Sequence, residues 1–430
     1  MDAINKKIAE ELNAYASECK KSHKYKTAKV IVERAIKMSP ESGVLYNNLG
    51  AILWNLNRFQ EAEASFRKSF TLGYDNETSQ ANLGLLLASA NRFDEAKECF
   101  TIATELKPDN KQAKWENALT LLDAGEWTEG FKEYDVRRDV KAEIKPLNYT
   151  LWNGEDLNDK TIYIQSEQGF GDRILFSRYI HWLKVTYPRV RILFLCDPKL
   201  HNLFWNLKLA TDLEFIPDKV PWPKADYGQY LLNLPRLHGT TPDNVYPDPG
   251  YILERAKLTP CNIPIPEIPD NLKVGICWTG NPVMEQNIQR TIPFERLLEL
   301  AENPDVLLYS FQVGNNDIDT YIADRLICNI APELEKEGFA GTAAAMLKMD
   351  VIVTCCTSIA HLAGALGIPC YVLLCYAPYW VWLRERDTSV WYPSIKLIRQ
   401  KEPGGWDYCI DEIKKEINLL AKNKDSYMNH

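Results

Sequence analysis

The sequence predicts a multidomain chain in which an all-α solenoid is followed by an α/β part built from two lobes. Three observations predict this arrangement. A motif recurs every 34 residues in the first third of the chain, which is typical of repeat architectures. After Lys145-Pro146, short apolar runs alternate with helical stretches, as in parallel α/β units. A proline-rich segment then divides this second part in two.

The composition is that of a globular protein without a nucleic-acid or membrane signature. The 430 residues include 50 Lys and Arg against 58 Asp and Glu, a net charge of −8, and 46% are hydrophobic. This acidic balance disfavours nonspecific nucleic-acid binding, which needs a basic surface. The apolar runs fall short of the ~20 residues of a membrane span, and residues 1–7 lack the apolar region of a signal peptide. We therefore expect a soluble, cytoplasmic chain with no membrane span.

Eleven cysteines are scattered without a C-x-x-C pair. Most lie in apolar runs, where a free thiol behaves as a small hydrophobic side chain. We predict reduced core thiols rather than a disulfide framework or a zinc site.

The repeat has a period and residue types that predict paired helices. The run Asn-Leu-Gly at 48–50 recurs at 82–84, with a variant at 116–118 and a degenerate earlier copy. Small residues such as Gly50 and Gly84 let helices approach closely, while Phe66 and Phe100 fill the space between them. These features resemble the tetratricopeptide repeat, so we predict a helical domain over residues 1–140. Its concave face is either a groove for a peptide or partner protein, or part of a structural cap or oligomerisation surface.

The second part is predicted to form two Rossmann-like lobes. The first, over 150–265, has strands at 161–166, 190–196, 213–216 and 230–233 and a helix at 173–185. Eight prolines between 235 and 269 predict an irregular linker over 237–271. The second lobe, over 270–430, has strands at 273–279, 306–311, 350–356 and 370–375 and helices at 293–302, 341–348, 358–366 and about 406–420. Such a pair is typical of the GT-B architecture, with its active site in the cleft between the lobes.

Three segments at predicted strand ends carry the candidate site residues. The first is Glu-Gln-Gly-Phe-Gly-Asp at 167–172. Gly169 and Gly171 allow a tight strand-to-helix turn, and the helix start offers free backbone N–H groups. Alternatively, the glycines serve only the turn, and Asp172 is the helix N-cap. The full spacing of a dinucleotide fingerprint is absent.

In the second segment, a buried strand ends in two hydroxyl residues that open a small-residue helix. Thr357, Ser358 and the adjacent N–H groups suit a diphosphate at the helix N-terminus, and His361 is placed to donate to the same phosphates. In the alternative interpretation, the hydroxyls only cap the helix and His361 is a core histidine.

The third segment places Gly280 and Asn281 in a polar loop after a strand, with Arg290 just before a helix. An arginine there can neutralise a phosphate bidentately, or it is an ordinary surface arginine. The pair Asp317 and Asp319 is similar to a metal-binding motif, but its polar surroundings predict a solvated surface.

Together these motifs resemble a known family. The segments at 167–172, 176–179, 278–281, 290–293 and 360–367 look like those of the tetratricopeptide-repeat glycosyltransferases of bacterial and phage type. These enzymes are related to the ADP-heptose:lipopolysaccharide heptosyltransferases of glycosyltransferase family 9. The resemblance covers essentially the whole chain, repeats included.

The resemblance implies a metal-independent, inverting enzyme. It would move a sugar from a nucleotide-diphosphate sugar to an acceptor hydroxyl on a glycan or protein, without a cofactor. Asp172 matches the general base and Arg290 a basic residue that stabilises the leaving diphosphate. The other residues on the donor side are Gly280, Asn281, Thr357, Ser358 and His361.

One position departs from the family pattern. Cys356 stands where relatives often carry an Asp associated with the donor sugar, which points to a different sugar or weakened activity. The alternative function is a catalytically degenerate scaffold that binds a partner protein through its repeats. A phosphate-cleaving enzyme of another class lacks supporting motifs. The aromatic residues between 376 and 392 are predicted mainly to pack the second lobe against the closing helix.

Overall fold

The computed structural model describes residues 2–204, 213–216, 223–248, 250–282, 287–314 and 326–424. The chain forms two compact units, Met1–Lys141 and Ala142–His430. The first unit is helical throughout its regular elements, and the second contains two parallel sheets. Asp317 and Asp319, which we predict to be surface residues, lie outside the described residues.

The first unit consists of helices paired along the chain, each odd-numbered helix packing on the next. The helices are α1 (Asp2–Lys21), α2 (Tyr25–Met38), α3 (Gly43–Asn55), α4 (Phe59–Thr71), α5 (Glu77–Ser89), α6 (Phe93–Leu106), α7 (Lys111–Asp123) and α8 (Trp127–Glu133). A single turn of helix, α9 (Arg137–Val140), follows them.

The backbone conformation of the turns repeats with the same period as the sequence. The turns inside successive helix pairs contain His23, Asn57, Asn91 and Gly125, whose φ angles are 58°, 60°, 62° and 81°. These residues stand 34 positions apart. Asn and Gly tolerate this left-handed conformation better than other residues. The degenerate first copy therefore has the same turn geometry as the others, although it carries a histidine there.

Aromatic rings packed on glycines set the separation of the paired helices. A Cβ atom at Gly50 would lie 2.7 Å from the Phe66 ring, and one at Gly84 would lie 2.9 Å from the Phe100 ring. Both rings are completely buried. The close approach predicted from the sequence therefore requires these two glycines.

The first sheet of the second unit is parallel, with the strand order β3-β2-β1-β4. Its strands are β1 (Thr161–Gln165), β2 (Arg191–Leu195), β3 (Leu213–Ile216) and β4 (Tyr227–Tyr230). The helices of this half are α10 (Phe170–Phe176), α11 (Arg178–Thr186), α12 (Pro198–His201), α13 (Leu234–His238) and α14 (Tyr251–Leu258).

The second sheet is also parallel, with the order β10-β9-β8-β5-β6-β7. Its strands are β5 (Leu272–Cys277), β6 (Val306–Ser310), β7 (Ile327–Asn329), β8 (Val351–Thr354), β9 (Cys370–Leu374) and β10 (Ile395–Arg399). The helices are α15 (Asn287–Arg290), α16 (Phe294–Leu297), α17 (Ala331–Met346), α18 (Ser358–Ala365) and α19 (Asp407–Lys422).

Several predicted boundaries are wrong. Residues 231–233, predicted as strand, form a 3-10 turn after β4, and the proline-rich linker contains α14, which begins after the left-handed Gly250 (φ 74°). A stretch without proline between Pro249 and Pro260 is long enough for this helix. The helix predicted at 341–348 begins already at Ala331 and is kinked at Gly338, where φ is 66°.

The two halves of the second unit contact each other near the carboxyl ends of β1 and β8. Helix α10 follows β1, α18 follows β8, and the two helices pack on each other. The buried Arg178 adds a second contact, because its Nη1 donates to the carbonyl oxygens of Tyr246 and Trp391, each at 3.1 Å. The carboxyl ends of β1 and β8 therefore lie near each other.

The ring-on-glycine packing predicts a large cavity effect in the first unit. Phe100→Ala should lower the free energy of unfolding by about 3–5 kcal/mol, because the ring is fully buried. Ile102→Ala, on the same helix but 39% exposed, should change it by less than about 1 kcal/mol. Urea denaturation followed by circular dichroism measures both. Equal effects of the two substitutions would contradict this account of the packing.

Candidate functional site

The candidate site begins at the start of α10, where Asp172 is held by two hydrogen bonds. Its Oδ2 accepts from the backbone N–H of Gly169 at 3.2 Å, and its Oδ1 accepts from Tyr379 Oη at 3.1 Å. Asp172 is the third residue of the helix and Gly169 is the N-cap. The alternative that Asp172 is itself the N-cap is therefore wrong, since the helix begins three residues earlier than predicted.

Burial sets the ionisation of Asp172. Loss of solvent raises the pKa of its carboxyl to about 6, and the Tyr379 and Gly169 hydrogen bonds oppose that rise. A carboxyl with a pKa of about 6 is mostly ionised at pH 7 and still basic enough to take a proton.

The glycines of this turn have a different role from the one predicted. Gly169 has ordinary dihedral angles (φ −72°), and the left-handed residue is Gln168 (φ 65°). Gly171 is needed for close packing, because a Cβ there would lie 2.8 Å from Cδ2 of His361 and 3.6 Å from Cα of Ser358. The glycine thus brings the starts of α10 and α18 into contact.

The start of α18 is not closed by its own N-cap side chain. Thr357 is the N-cap by position, but its side chain makes no capping hydrogen bond. Its Oγ1 lies 3.3 Å from Oγ1 of Thr354 instead. Ser358 is the first residue of the helix and is partly exposed. Because the first-turn N–H groups of a helix have no partner inside it, this end is suited to an anionic ligand.

His361 lies one turn into α18 and is 4% exposed. Its ring stacks on Trp382 with centroids 5.1 Å apart. Burial lowers the pKa of the imidazole to about 3, with a further contribution from the charge of Arg178. Its Nδ1 has no hydrogen-bond partner among the described residues. His361 is therefore a neutral, buried ring with an unused polar atom, which differs from a fully satisfied core histidine.

Arg290 lies beside the turn that leads into α18. Its Nη1 donates to the carbonyl oxygen of Cys356 at 3.1 Å. Its guanidinium packs on Gly280, where a Cβ would lie 2.6 Å from Cζ of the arginine. The predicted loop glycine is therefore required for the arginine to reach this position, while Asn281 of the same loop is exposed.

Cys356 connects the groups that the three segments contribute. Its thiol accepts a hydrogen bond from Trp382 Nε1 at 3.0 Å. Burial raises the pKa of this thiol, and the charges of Arg290 and Asp172 both act on it. Cys356 is therefore a neutral group close to the predicted base and the predicted phosphate-binding arginine.

Sequence reasoning missed Asn287, which organises the arginine loop. Its Oδ1 accepts from Arg290 Nε at 2.9 Å and from the Gly280 N–H at 3.0 Å. Its Nδ2 donates to Thr279 Oγ1 at 2.9 Å. The side chain is 7% exposed. A polar residue three positions before Arg290 was the signal, since residues at i and i+3 lie on one helix face.

The aromatic residues at 376–392 pack differently from the prediction. Trp380 and Trp391 contact Phe176 of α10, at centroid distances of 6.2 and 5.6 Å. These tryptophans therefore pack the second half of the unit against the first, not against the closing helix α19. Tyr379 is the member of this group whose hydroxyl reaches Asp172.

Within the described stretches of the chain, no group of three or more His, Cys, Asp or Glu side chains is arranged to hold a metal ion. No helix in the same stretches is long and apolar enough to cross a membrane.

The first unit matches a known repeat family. Residues 44–73 and 82–139 match family models described as tetratricopeptide repeat. The repeats predicted from the 34-residue period are therefore confirmed.

A curated relative matches a longer part of the chain. Protein FlbA of Caulobacter vibrioides is 21% identical over 304 residues, which cover 63% of this chain and 48% of FlbA. The chain thus spans about half the length of the curated relative that it matches.

Two solved structures are similar to different parts of the chain. YrrB, a tetratricopeptide-repeat protein with a peptide-binding site, matches 30% of this chain over 67% of its own length. The identity is 17% and the TM-score is 0.27. A glycosyl transferase family 9 protein from Veillonella parvula is similar to 58% of this chain, with 88% of its own covered, 14% identity and a TM-score of 0.38.

The raised pKa of Asp172 predicts a pH dependence of stability. The folded carboxyl has a pKa of about 6 against 3.8 for the ordinary group, so the folded state binds the proton more tightly. The contribution of Asp172 to the free energy of unfolding therefore becomes unfavourable as the pH rises from about 4 to 6. Relative to that of the wild type, the free energy of unfolding of Asp172→Asn should increase by about 2 kcal/mol between pH 4 and pH 7.

Urea denaturation at a series of pH values measures this gain. Asp387→Asn, which changes an exposed carboxyl of the same unit, is the control. A stability difference between Asp172→Asn and the wild type that stays constant with pH would show that Asp172 has an ordinary pKa.

Proposed function

We propose that the second unit is a two-lobed, GT-B-type glycosyltransferase that moves a sugar from a nucleotide-diphosphate sugar to an acceptor hydroxyl. The observation that carries this proposal is the meeting of the starts of α10 and α18. One supplies a half-buried carboxyl whose pKa is raised to about 6, and the other supplies an open helix N-terminus beside an arginine. A base and an anion site on opposite sides of a cleft are the two groups that this transfer needs.

On the donor side, the diphosphate would lie at the start of α18. Ser358 and the first-turn N–H groups would donate to the phosphate oxygens, with the Thr357 hydroxyl beside them. Arg290 would neutralise the charge that grows as the anomeric bond breaks. The neutral His361, which carries one N–H, is a hydrogen-bond donor or acceptor in this site rather than a cation. Gly280 and Asn281 belong to the loop that positions Arg290.

On the acceptor side, Asp172 would take the proton of the attacking hydroxyl. The oxygen of that hydroxyl forms a bond to the anomeric carbon while the bond from that carbon to the diphosphate breaks. One base and one stabilised leaving group are sufficient for a single displacement, which inverts the configuration. Positive charge for the leaving group comes from Arg290 and the helix dipole, so the proposed reaction is metal-independent.

Cys356 is compatible with this chemistry. A carboxylate at this position would place a second negative charge near Asp172 and would raise the pKa of Asp172 further. The neutral thiol avoids that repulsion. Cys356 contacts Trp382 and Arg290, and these contacts support the proposal that residue 356 influences which sugar is accepted.

The tetratricopeptide repeats are the proposed binding surface for the acceptor or for a partner protein. A pocket of about 430 Å³ lies between α6, α7 and the segment that follows them. It combines Lys114, Glu133 and the amide of Asn117 with two threonines. Mixed charges and amides suit a polar peptide or a glycan chain better than an apolar partner.

Nucleotide binding tests the donor site. The full chain is screened by thermal shift against UDP, GDP, ADP, CMP and dTDP, and against their sugars. A ligand at about 100 times its Kd should stabilise the fold by about 2.7 kcal/mol. Arg290→Ala should abolish the shift, while Arg296→Ala should retain it because Arg296 pairs with Glu299 and Asp407 elsewhere. If no nucleotide or nucleotide sugar shifts the melting temperature, the result would favour the alternative, a scaffold that acts through its repeats.

Turnover tests the base once a nucleotide sugar has been found. Asp172→Asn keeps the side-chain shape but cannot take a proton, so transfer should fall by about 10²–10⁴-fold. Binding of the nucleotide should remain nearly unchanged. Mass spectrometry of the acceptor and calorimetry of nucleotide binding measure the two effects. Comparable turnover in the two proteins would exclude Asp172 as the base.

A further inference from the structure

A tyrosine from one half of the second unit holds the candidate base on the other half. Tyr379 follows β9 of the six-stranded sheet, whereas Asp172 follows β1 of the four-stranded sheet. Tyr379 Oη donates to Asp172 Oδ1 at 3.1 Å. The direction of the carboxyl therefore depends on a residue that is 207 positions away in the chain.

The segment that carries Tyr379 is fixed by two buried tryptophans. Trp380 stacks on Phe176 of α10, with centroids 6.2 Å apart and planes 24° apart. Trp382 stacks on His361 and donates to the thiol of Cys356. Each tryptophan is 1% exposed. Because both tryptophans that follow Tyr379 are anchored in the core, its hydroxyl is held within hydrogen-bonding distance of Asp172.

Among the described residues of the opposite half, Tyr379 is the one whose hydroxyl donates to Asp172. The other groups around the carboxyl act differently. On its own helix, Arg173 contributes charge at a distance and pairs with Asp197 at 3.6 Å. From the turn after β8, the neutral Cys356 thiol faces it. From α18, the neutral His361 packs on Gly171. Leu231–Asn233, which also contacts α10, carries no ionisable side chain.

We propose that Tyr379 is a positioning residue that sets both the direction and the charge state of the Asp172 carboxyl from across the cleft. A phenol O–H bonds more strongly to a carboxylate than to a carboxylic acid, so it stabilises the ionised base. The catalytic meaning of this contact rests on the proposed glycosyltransferase function. The contact itself is a property of the folded chain and can be measured without a substrate.

Removal of the hydroxyl has a defined direction of effect. Burial raises the pKa of Asp172 and the Tyr379 hydrogen bond lowers it. Tyr379→Phe removes one of the hydrogen bonds that oppose the rise in pKa caused by burial. The midpoint of the Asp172 titration should therefore move from about pH 6 to about one pH unit higher.

The experiment is a pH titration of the full chain with ¹³C-labelled aspartate carboxyls. Asp172→Asn identifies the resonance of Asp172. Tyr379→Phe and Tyr379→Leu should both shift its midpoint upward by about one pH unit. Tyr376→Phe removes another hydroxyl of the same loop, which does not bond to Asp172, and should leave the midpoint near 6.

Two results would overturn the proposal. A midpoint in Tyr379→Phe equal to that of the wild type would show that the hydroxyl does not stabilise the carboxylate. An equal shift in Tyr376→Phe would show that loosening of the loop, not the hydrogen bond, changes the carboxyl.

Transfer assays separate this proposal from the proposed function. In an active enzyme, the acidic limb of the kcat/KM profile, which reports the free enzyme, should move upward in Tyr379→Phe by the same amount as the titration midpoint. If the wild type transfers no sugar from any donor while the titration shifts as expected, the proposed function fails and the positioning role of Tyr379 stands.

Discussion

The arrangement of the second unit depends on the close packing of two helix starts at Gly171. A side chain there would collide with His361, so the absence of a Cβ allows α10 and α18 to meet. That contact brings Asp172 toward the turn that carries Cys356, Thr357 and Ser358. It also buries the ring of His361. The geometry of the site and its electrostatics therefore have the same origin.

Desolvation then moves the two titratable groups in opposite directions. It raises the pKa of Asp172 to about 6 and lowers that of His361 to about 3. At neutral pH the two helix starts therefore bring together a carboxylate and a neutral imidazole, not an ion pair. Two groups whose pKa values are separated by their surroundings take distinct chemical roles. Asp172 can accept a proton, while His361 can offer only a hydrogen bond.

The sequence was sufficient for features that depend on local pattern. The 34-residue period led to the helix pairs, and glycine, hydroxyl and arginine residues at strand ends led to the three segments of the site. It was not sufficient for contacts between distant segments. Tyr379 reaches Asp172 only because Trp380 packs on Phe176, and nothing near residue 379 encodes that pairing. The left-handed Gln168 was also missed, because two neighbouring glycines were the expected residues for the turn.

A crystal structure of the full chain with a bound nucleoside diphosphate tests the central claim most directly. The account predicts that the diphosphate lies at the start of α18, with its oxygens within hydrogen-bonding distance of Ser358 and Arg290. The Asp172 carboxyl should then face the open side of the cleft, with Tyr379 still bonded to it. A diphosphate bound elsewhere, with the start of α18 and Arg290 uninvolved, would contradict the account.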